Sequence, residues 1–143
     1  MDICRINPFI RRTMRSTLQP QLRINRRVIL DYELLYVECG RLLLTYNDVE
    51  YLFSSGDILL LCPNIPHIFQ VLDVPLSQPH IHFDIRYGST SHNVFISFKD
   101  YENLALEERM LMRENAFPSL ERSPLLHIGD RETFLRLFYE IID

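Results

Sequence analysis

The chain has only four glycines and three cysteines, and these low counts argue against several classes of protein. Four glycines in 143 residues leave little material for a phosphate-cradling loop, and no G-x-S-x-G or H-E-x-x-H motif is present. The three cysteines, Cys4, Cys39 and Cys62, have no C-x-x-C spacing. This pattern argues against a disulfide framework and a structural zinc site, and it indicates the reducing cytoplasm.

Long apolar runs and an excess of positive charge are also missing. The longest apolar run, Ile58–Cys62, is far too short to cross a bilayer, and the first residues do not resemble a signal peptide, so we expect no membrane partner. The formal net charge of −4 argues against direct binding of this segment to the DNA backbone. Six early arginines are scattered among polar residues and predict a solvated arm: Arg11, Arg12, Arg15, Arg23, Arg26 and Arg27.

What the chain does contain is enough apolar sequence for one core, arranged in short runs. Hydrophobic residues make up 47% of the chain and charged residues 24%, which predicts a single domain. The runs are short or alternating and are separated by turn residues, and evenly spaced short strands usually close into a sandwich or barrel. The predicted strands are Val28–Leu30, Glu33–Cys39, Arg41–Tyr46, Glu50–Phe53, Asp57–Leu61, Ile68–Leu72, His80–Tyr87 and Val94–Phe98.

After Phe98 the apolar period changes from two towards 3.6 residues, which predicts helices. The first is expected over Leu104–Asn115 and the second after Asp130, a good N-cap residue. Apolar residues surround more of the second helix than one core contact requires, so we expect it to dimerise or the protein to continue beyond it. The predicted organisation is an arm over 1–22, a barrel over 23–98 and a helical segment over 99–143.

Two stretches resemble the motifs of the cupin superfamily. Gly56–His67 resembles its second motif, which ends in a histidine that points into the barrel, and Glu33–Gly40 resembles the end of its first motif. The resemblance places Glu33 and His67 at metal-ligand positions. The His-x-His pair that should precede the glutamate is missing, because Asn25–Asp31 contains no histidine. A catalytic metal needs about three protein ligands, so the expected cofactor is none.

An alternative metal site remains open, because His80 and His82 are two residues apart on a predicted strand and share one face. With Glu33 and His67 they could hold a divalent transition metal. The other interpretation is that these histidines form hydrogen bonds in a polar pocket without any metal.

The whole pattern resembles the sensor domain of AraC-type transcription regulators. The resemblance extends from about Arg26 to Asp143, in the order Asp31–Gly40, Gly56–His67, His80–Asp84 and the two helices. It implies a cupin-like double-stranded β-helix (jelly-roll) barrel followed by two α-helices. It also implies a small-molecule effector, a homodimer formed through the carboxy-terminal helices, and contact with DNA only through a helix-turn-helix domain absent from this chain.

The resemblance also implies effector-contact positions. By position these are Cys39, His67, Phe69, Gln78 and His80, and strand parity and hydrogen-bonding capacity add Glu33 and His82. Cys39 stands where sugar-binding members carry an arginine, so a charged donor for a sugar is missing. No catalytic residue is assigned.

Two other functions remain open from the sequence. The chain could be a small cupin enzyme, either metal-dependent or an isomerase that uses His67 with a tyrosine as acid and base. It could also be a barrel that only dimerises, with its interior filled by side chains.

Overall fold

The computed structural model describes residues 3–95 and 97–143, which contain eleven β-strands and two α-helices. The strands are β1 (Phe9–Met14), β2 (Thr17–Leu18), β3 (Arg23–Ile29), β4 (Tyr32–Tyr36), β5 (Arg41–Tyr46), β6 (Val49–Ser54), β7 (Ile58–Leu61), β8 (His67–Val71), β9 (Leu76–Ser77), β10 (His80–Asp84) and β11 (Phe98–Asp100). The helices are α1 (Leu106–Met110) and α2 (Arg131–Ile142). Short 3-10 turns occupy Ile3–Arg5, Ser91–Asn93, Tyr101–Asn103 and Pro118–Glu121.

Two antiparallel sheets form the barrel. One sheet has the order β1-β10-β4-β7, and the other has the order β11-β3-β8-β5-β6, while β2 and β9 form a separate pair. If β2, β9 and β11 are set aside, the two sheets have the orders β1-β10-β4-β7 and β3-β8-β5-β6, which is the strand order of a jelly roll. The strand order therefore confirms the predicted mainly β, jelly-roll architecture.

Alternating side chains of the two sheets fill the space between them. In β5 the buried residues are Leu42, Leu44 and Tyr46, and in β8 they are His67, Phe69 and Val71. This is the period of two expected for strands with one face towards a core. All four residues of β7 are buried, because the carboxy-terminal segment covers the edge of this strand.

Tight turns fix the registers of the strands. Asn47 and Asp48 both have positive φ, 49° and 66°, and they join β5 to β6 as a two-residue hairpin. Gly40 has φ 93°, and a Cβ atom at this position would lie 2.4 Å from the carbonyl oxygen of Pro75. Only glycine can take both this backbone conformation and this close approach.

The amino-terminal segment is not the solvated arm that the arginines suggested. Residues Phe9–Met14 form β1 and pair with β10, with Phe9 opposite Asp84 and Met14 opposite His80. The ladder has a bulge between Ile10 and Arg12, so Arg11 is the extra residue, and its side chain is only 7% exposed. The solvated-arm prediction was wrong for this strand, because buried carboxylates balance the charge of Arg11. The division into three regions otherwise stays a prediction.

The helical segment differs from its prediction in one of its two helices. The helix expected over Leu104–Asn115 is reduced to Leu106–Met110, because the chain then joins the barrel through a hydrogen bond from Arg113 N to Leu30 O (2.9 Å). The second helix begins as predicted, since the Asp130 side chain accepts a hydrogen bond from Thr133 N. The last predicted barrel strand is also displaced, to Phe98–Asp100.

The segment before α2 covers the free edge of β7. Leu60 N donates to Pro124 O (2.8 Å), and Leu126 N donates to Ile58 O (2.9 Å). Leu59 and Leu125 form an isolated antiparallel bridge between these two bonds. Backbone groups that would otherwise form an open sheet edge are thereby paired. Across residues 3–95 and 97–143, no helix is long and apolar enough to cross a membrane.

Candidate functional site

The barrel buries six of the seven side chains that the sequence predicted for the effector site. Glu33 lies on β4, His67 and Phe69 lie on β8, His80 and His82 lie on β10, and Gln78 precedes β10. They do not form one continuous site.

Cys39 does not face the interior, and its predicted place in the pocket was wrong. Strand β4 ends at Tyr36, so the alternation that buries Glu33, Leu35 and Val37 does not continue to Cys39, which is exposed. Its backbone instead pairs with Ser77 in an isolated bridge. The exposure of Cys39 could have been predicted from Gly40, because a chain leaves its sheet just before a tight turn.

Two other predicted residues have structural partners. The Gln78 side-chain amide donates a hydrogen bond to Ser16 Oγ, so it joins two segments at the rim of the barrel. The Phe69 ring packs in the core with the guanidinium of Arg27 5.7 Å from its centroid. Neither residue belongs to the Glu33, His80 and His82 group.

The side chains of Glu33, His80 and His82 converge inside the barrel, and they are called the acid–histidine cluster here. One oxygen of Glu33 and one nitrogen of each imidazole lie within 4.8 Å of one another. His80 and His82 share a face of β10, as the sequence predicted, and His82 lies directly opposite Glu33 in the ladder with β4. The two imidazole rings are 5.5 Å apart between centroids and perpendicular.

Hydrogen bonds fix the orientation of both imidazoles in this cluster. His80 Nδ1 lies 3.0 Å from Gln78 O, and His82 Nδ1 lies 3.2 Å from Asp31 Oδ1. A carbonyl and a carboxylate only accept, so each Nδ1 must donate its proton. His82 Nε2 and Glu33 Oε2 are buried and have no hydrogen-bond partner among the described residues, although they lie 4.0 Å apart.

The surroundings shift the pKa values of Glu33 and His82 in opposite directions. Burial would raise the pKa of Glu33, but the nearby His82, His80 and Arg27 outweigh burial and lower this pKa. Burial would lower the pKa of His82, but Glu33 and Asp31 outweigh it and raise this pKa. Glu33 and His82 therefore each favour the charged form of the other.

His67 contributes no atom to the acid–histidine cluster, although the charge of Glu33 acts on it. Arg27 Nε donates to His67 Nε2 (3.1 Å), and His67 Nδ1 lies 3.0 Å from Ile65 O, to which it donates. Both ring nitrogens are thus occupied in a neutral imidazole. Burial first, and then the charge of Arg27, lowers the pKa of His67 to about 4. The four-residue metal site allowed by the sequence is therefore reduced to three residues, because His67 has no free lone pair.

The space beside the cluster is small. A cavity of about 40 Å³ adjoins it, lined by Arg11, Arg12, Met14, His80, His82, Phe95, Ser97 and Phe98. A site that holds a drug-sized ligand usually has roughly 300 Å³ or more, while one water occupies roughly 30 Å³ of liquid. The cavity therefore admits a water, an ion or one functional group of a larger molecule.

An ion network missed by the sequence analysis joins this cluster to the carboxy-terminal segment. Arg11 bridges Asp31 (2.5 Å) and Asp84 (2.9 Å), and Arg113 binds Asp84 through two nitrogens at 2.9 and 3.0 Å. Asp31 also accepts from His82. The burial of Asp84 could have been predicted from the sequence, because Asp84 continues the alternation of His80 and His82. Its arginine partners could not, because they depend on pairing between distant residues.

Comparison with known proteins agrees with this architecture. A family model described as the AraC-like ligand binding domain matches residues 15–112, a range that contains the whole acid–histidine cluster. A search of curated proteins found no match.

The solved structures that resemble this chain include three proteins at low identity. Oxalate decarboxylase from Bacillus subtilis is 14% identical over 68% of this chain and 25% of that chain, with a TM-score of 0.49. A cupin superfamily protein from Desulfitobacterium hafniense is 12% identical over 48% and 62%, with a TM-score of 0.44. An 11S allergen from Cocos nucifera is 15% identical over 50% and 22%, with a TM-score of 0.45. The chain thus spans about a quarter of the length of the decarboxylase.

Proposed function

Because the chain belongs to the family of AraC-like ligand-binding domains, we propose that it is the effector-sensing domain of a cytoplasmic transcription regulator. In this proposal a small molecule binds in the barrel and controls a helix-turn-helix DNA-binding domain that lies outside the sequence described. The observation that carries the proposal is the family match over residues 15–112. The net charge of −4 is consistent with leaving contact with DNA to another domain.

The effector is proposed to contact the acid–histidine cluster through the adjoining cavity. A carboxylate, two imidazoles and the rings around them offer both charged and apolar contacts to a polar metabolite. The volume of about 40 Å³ admits one functional group of that metabolite and does not favour a sugar enclosed by the barrel. We therefore expect binding without chemical conversion.

The ion network offers a route by which binding could reach the helical segment. A ligand that displaces His82 also acts on Asp31, which binds Arg11. Arg11 in turn shares Asp84 with Arg113, which lies just beyond α1. Because buried ion pairs tolerate little rearrangement, a change at one end of this network favours a change at the other.

The proposed homodimer uses the outer face of α2. Phe138 faces the barrel and is buried, whereas Leu137 and Ile141, four residues apart, are each 47% exposed. The substitution Leu137→Glu is expected to convert a dimer to a monomer in light scattering, with Arg136→Glu on the same helix as the control. An unchanged mass for Leu137→Glu would contradict the dimer.

The function is tested by a thermal-shift screen of this chain against organic acids, amino acids and sugars. A specific ligand raises the apparent stability by mass action, and recovered ligand should be chemically unchanged by NMR. The variant His82→Gln should lose the shift, while His127→Gln, an exposed histidine outside the barrel, should keep it. Conversion of the ligand into product would overturn the sensor proposal in favour of an enzyme.

A further inference from the structure

We propose that Glu33, His80 and His82 bind one divalent transition metal ion inside the barrel. This inference deepens the proposed function and rests on it in one respect, since the ion would be the innermost ligand of the same effector site. It uses two histidines of one strand and a glutamate of the neighbouring strand. It does not use His67.

The first support is the position of the three ligand atoms. They already lie within 4.8 Å of one another, and the backbone ladder between β4 and β10 holds their strands in register. Ligands about 2.0–2.2 Å from a tetrahedral ion lie roughly 3.4 Å from one another. Side-chain rotations that move each ligand atom by about an ångström bring the three atoms to that separation, without any change of the sheet.

The second support is the pair of unsatisfied atoms. Glu33 Oε2 and His82 Nε2 are both buried and without a hydrogen-bond partner among residues 3–95 and 97–143. Buried polar atoms are nearly always paired, so two unpaired atoms 4.0 Å apart indicate a missing partner between them. A cation satisfies both atoms at once, because it displaces the proton from His82 Nε2 and each atom then directs a lone pair towards it.

The third support is the orientation of the imidazoles. His82 donates from Nδ1 to the fully buried carboxylate of Asp31, and His80 donates from Nδ1 to Gln78 O. Metal-binding histidines generally donate their second ring proton to a carboxylate or a backbone carbonyl, which leaves the other nitrogen free for the metal. Both histidines of the cluster follow this arrangement, whereas the second nitrogen of His67 accepts from Arg27.

The ligand chemistry selects the kind of ion. Two imidazoles and one carboxylate suit zinc, iron, cobalt or nickel, whereas magnesium and calcium prefer sites made of oxygen alone. Three protein ligands leave at least one coordination position open. The cavity of about 40 Å³ beside His80 and His82 provides room there for a water or for one donor group of the effector.

The test uses the full chain, stripped with EDTA and titrated with Co²⁺ without any effector. We expect visible d–d absorption bands that saturate at one equivalent, and competition by Zn²⁺. His80→Gln and His82→Gln should each weaken binding at least tenfold, and Asp31→Asn should weaken it by about 10–100-fold. The matched control His67→Gln should bind as the wild type does, and circular dichroism checks that each variant is folded.

Absence of a saturable cobalt spectrum in the wild-type chain would overturn the metal site, as would full binding by His80→Gln and His82→Gln. If those variants do not fold, X-ray absorption of the wild-type zinc complex decides, because it must show two imidazoles in the coordination shell. The effector screen, repeated on metal-free chain, separates the two proposals. A metabolite that stabilises the metal-free chain, when cobalt shows no saturable binding, refutes the ion alone. Saturable cobalt binding by a chain that no metabolite stabilises, with or without metal, refutes the sensor alone.

Discussion

The buried imidazole of His67 should make the stability of this fold sensitive to mild acid. His67 is 1% exposed, and it faces Arg27 on β3, Glu33 on β4 and the ring of Tyr46 on β5. Its Nε2 accepts a hydrogen bond from Arg27, so protonation of this atom would break the bond and place two cations together. Burial, and then the charge of Arg27, lowers the pKa of His67 to about 4.

The size of the effect follows from the two protonation equilibria. In the unfolded chain the pKa of His67 is 6.5, and in the folded chain it is about 4, a difference of about 2.5. The unfolded state therefore takes up the proton first as the pH falls. The contribution to stability is fully present above pH 6.5 and is lost between pH 6.5 and 4. At 1.36 kcal/mol for each unit of pKa, the loss is roughly 3 kcal/mol.

Urea unfolding at pH 7, 6, 5 and 4 measures this loss, with His67→Gln as the comparison. Glutamine does not titrate, and its side-chain oxygen can still accept from Arg27. The free energy of unfolding of the wild type should fall more steeply than that of the variant, by roughly 3 kcal/mol between pH 7 and 4. Contributions from other titrating groups are shared by both proteins. Parallel pH profiles would refute this account of His67.

Three further predictions concern the framework of the barrel. The substitution Asp84→Asn should destabilise the fold by roughly 3–5 kcal/mol in urea unfolding, because it removes a buried carboxylate shared by two partly buried arginines. A loss below about 1 kcal/mol would contradict this. Gly40→Ala should lower the stability by about 1–3 kcal/mol or more, while Gly88→Ala, whose added Cβ meets no atom within 4 Å, should change it little; equal effects would argue against strain at Gly40. Deletion of residues 1–14 should leave the edge of β10 unpaired and yield aggregated protein by size-exclusion chromatography, whereas a folded monomer would restore the arm interpretation.

The sequence predicted the features of the fold that depend on local pattern. Strand β5 was predicted at its observed bounds, because its apolar residues alternate and a hairpin turn of Asn47 and Asp48 follows it. The shared face of His80 and His82 was predicted from strand parity alone. These features depend only on residues that are close to one another in the sequence.

The features that were missed depend on pairing between distant residues. The burial of Arg11 requires both the bulge in β1 and the carboxylates of Asp31 and Asp84, which lie 20 and 73 residues further along the chain. The hydrogen bond from Arg27 to His67, which removes that histidine from the candidate metal site, likewise requires the register between β3 and β8. Local periodicity contains no information about either contact.

The pairing of β1 with β10 also determines when the barrel can form. Phe9 lies opposite Asp84, 75 residues later, so β1 has no partner strand while the intervening strands are synthesised. Loops of this length close slowly, and jelly-roll sheets dominated by such distant contacts fold slowly. During synthesis, the hairpin of β5 and β6 can form early, whereas β1 must wait until β10 has left the ribosome. Arg11 has no contact with Asp84 throughout that interval. The first strand to be synthesised is therefore among the last to join the barrel.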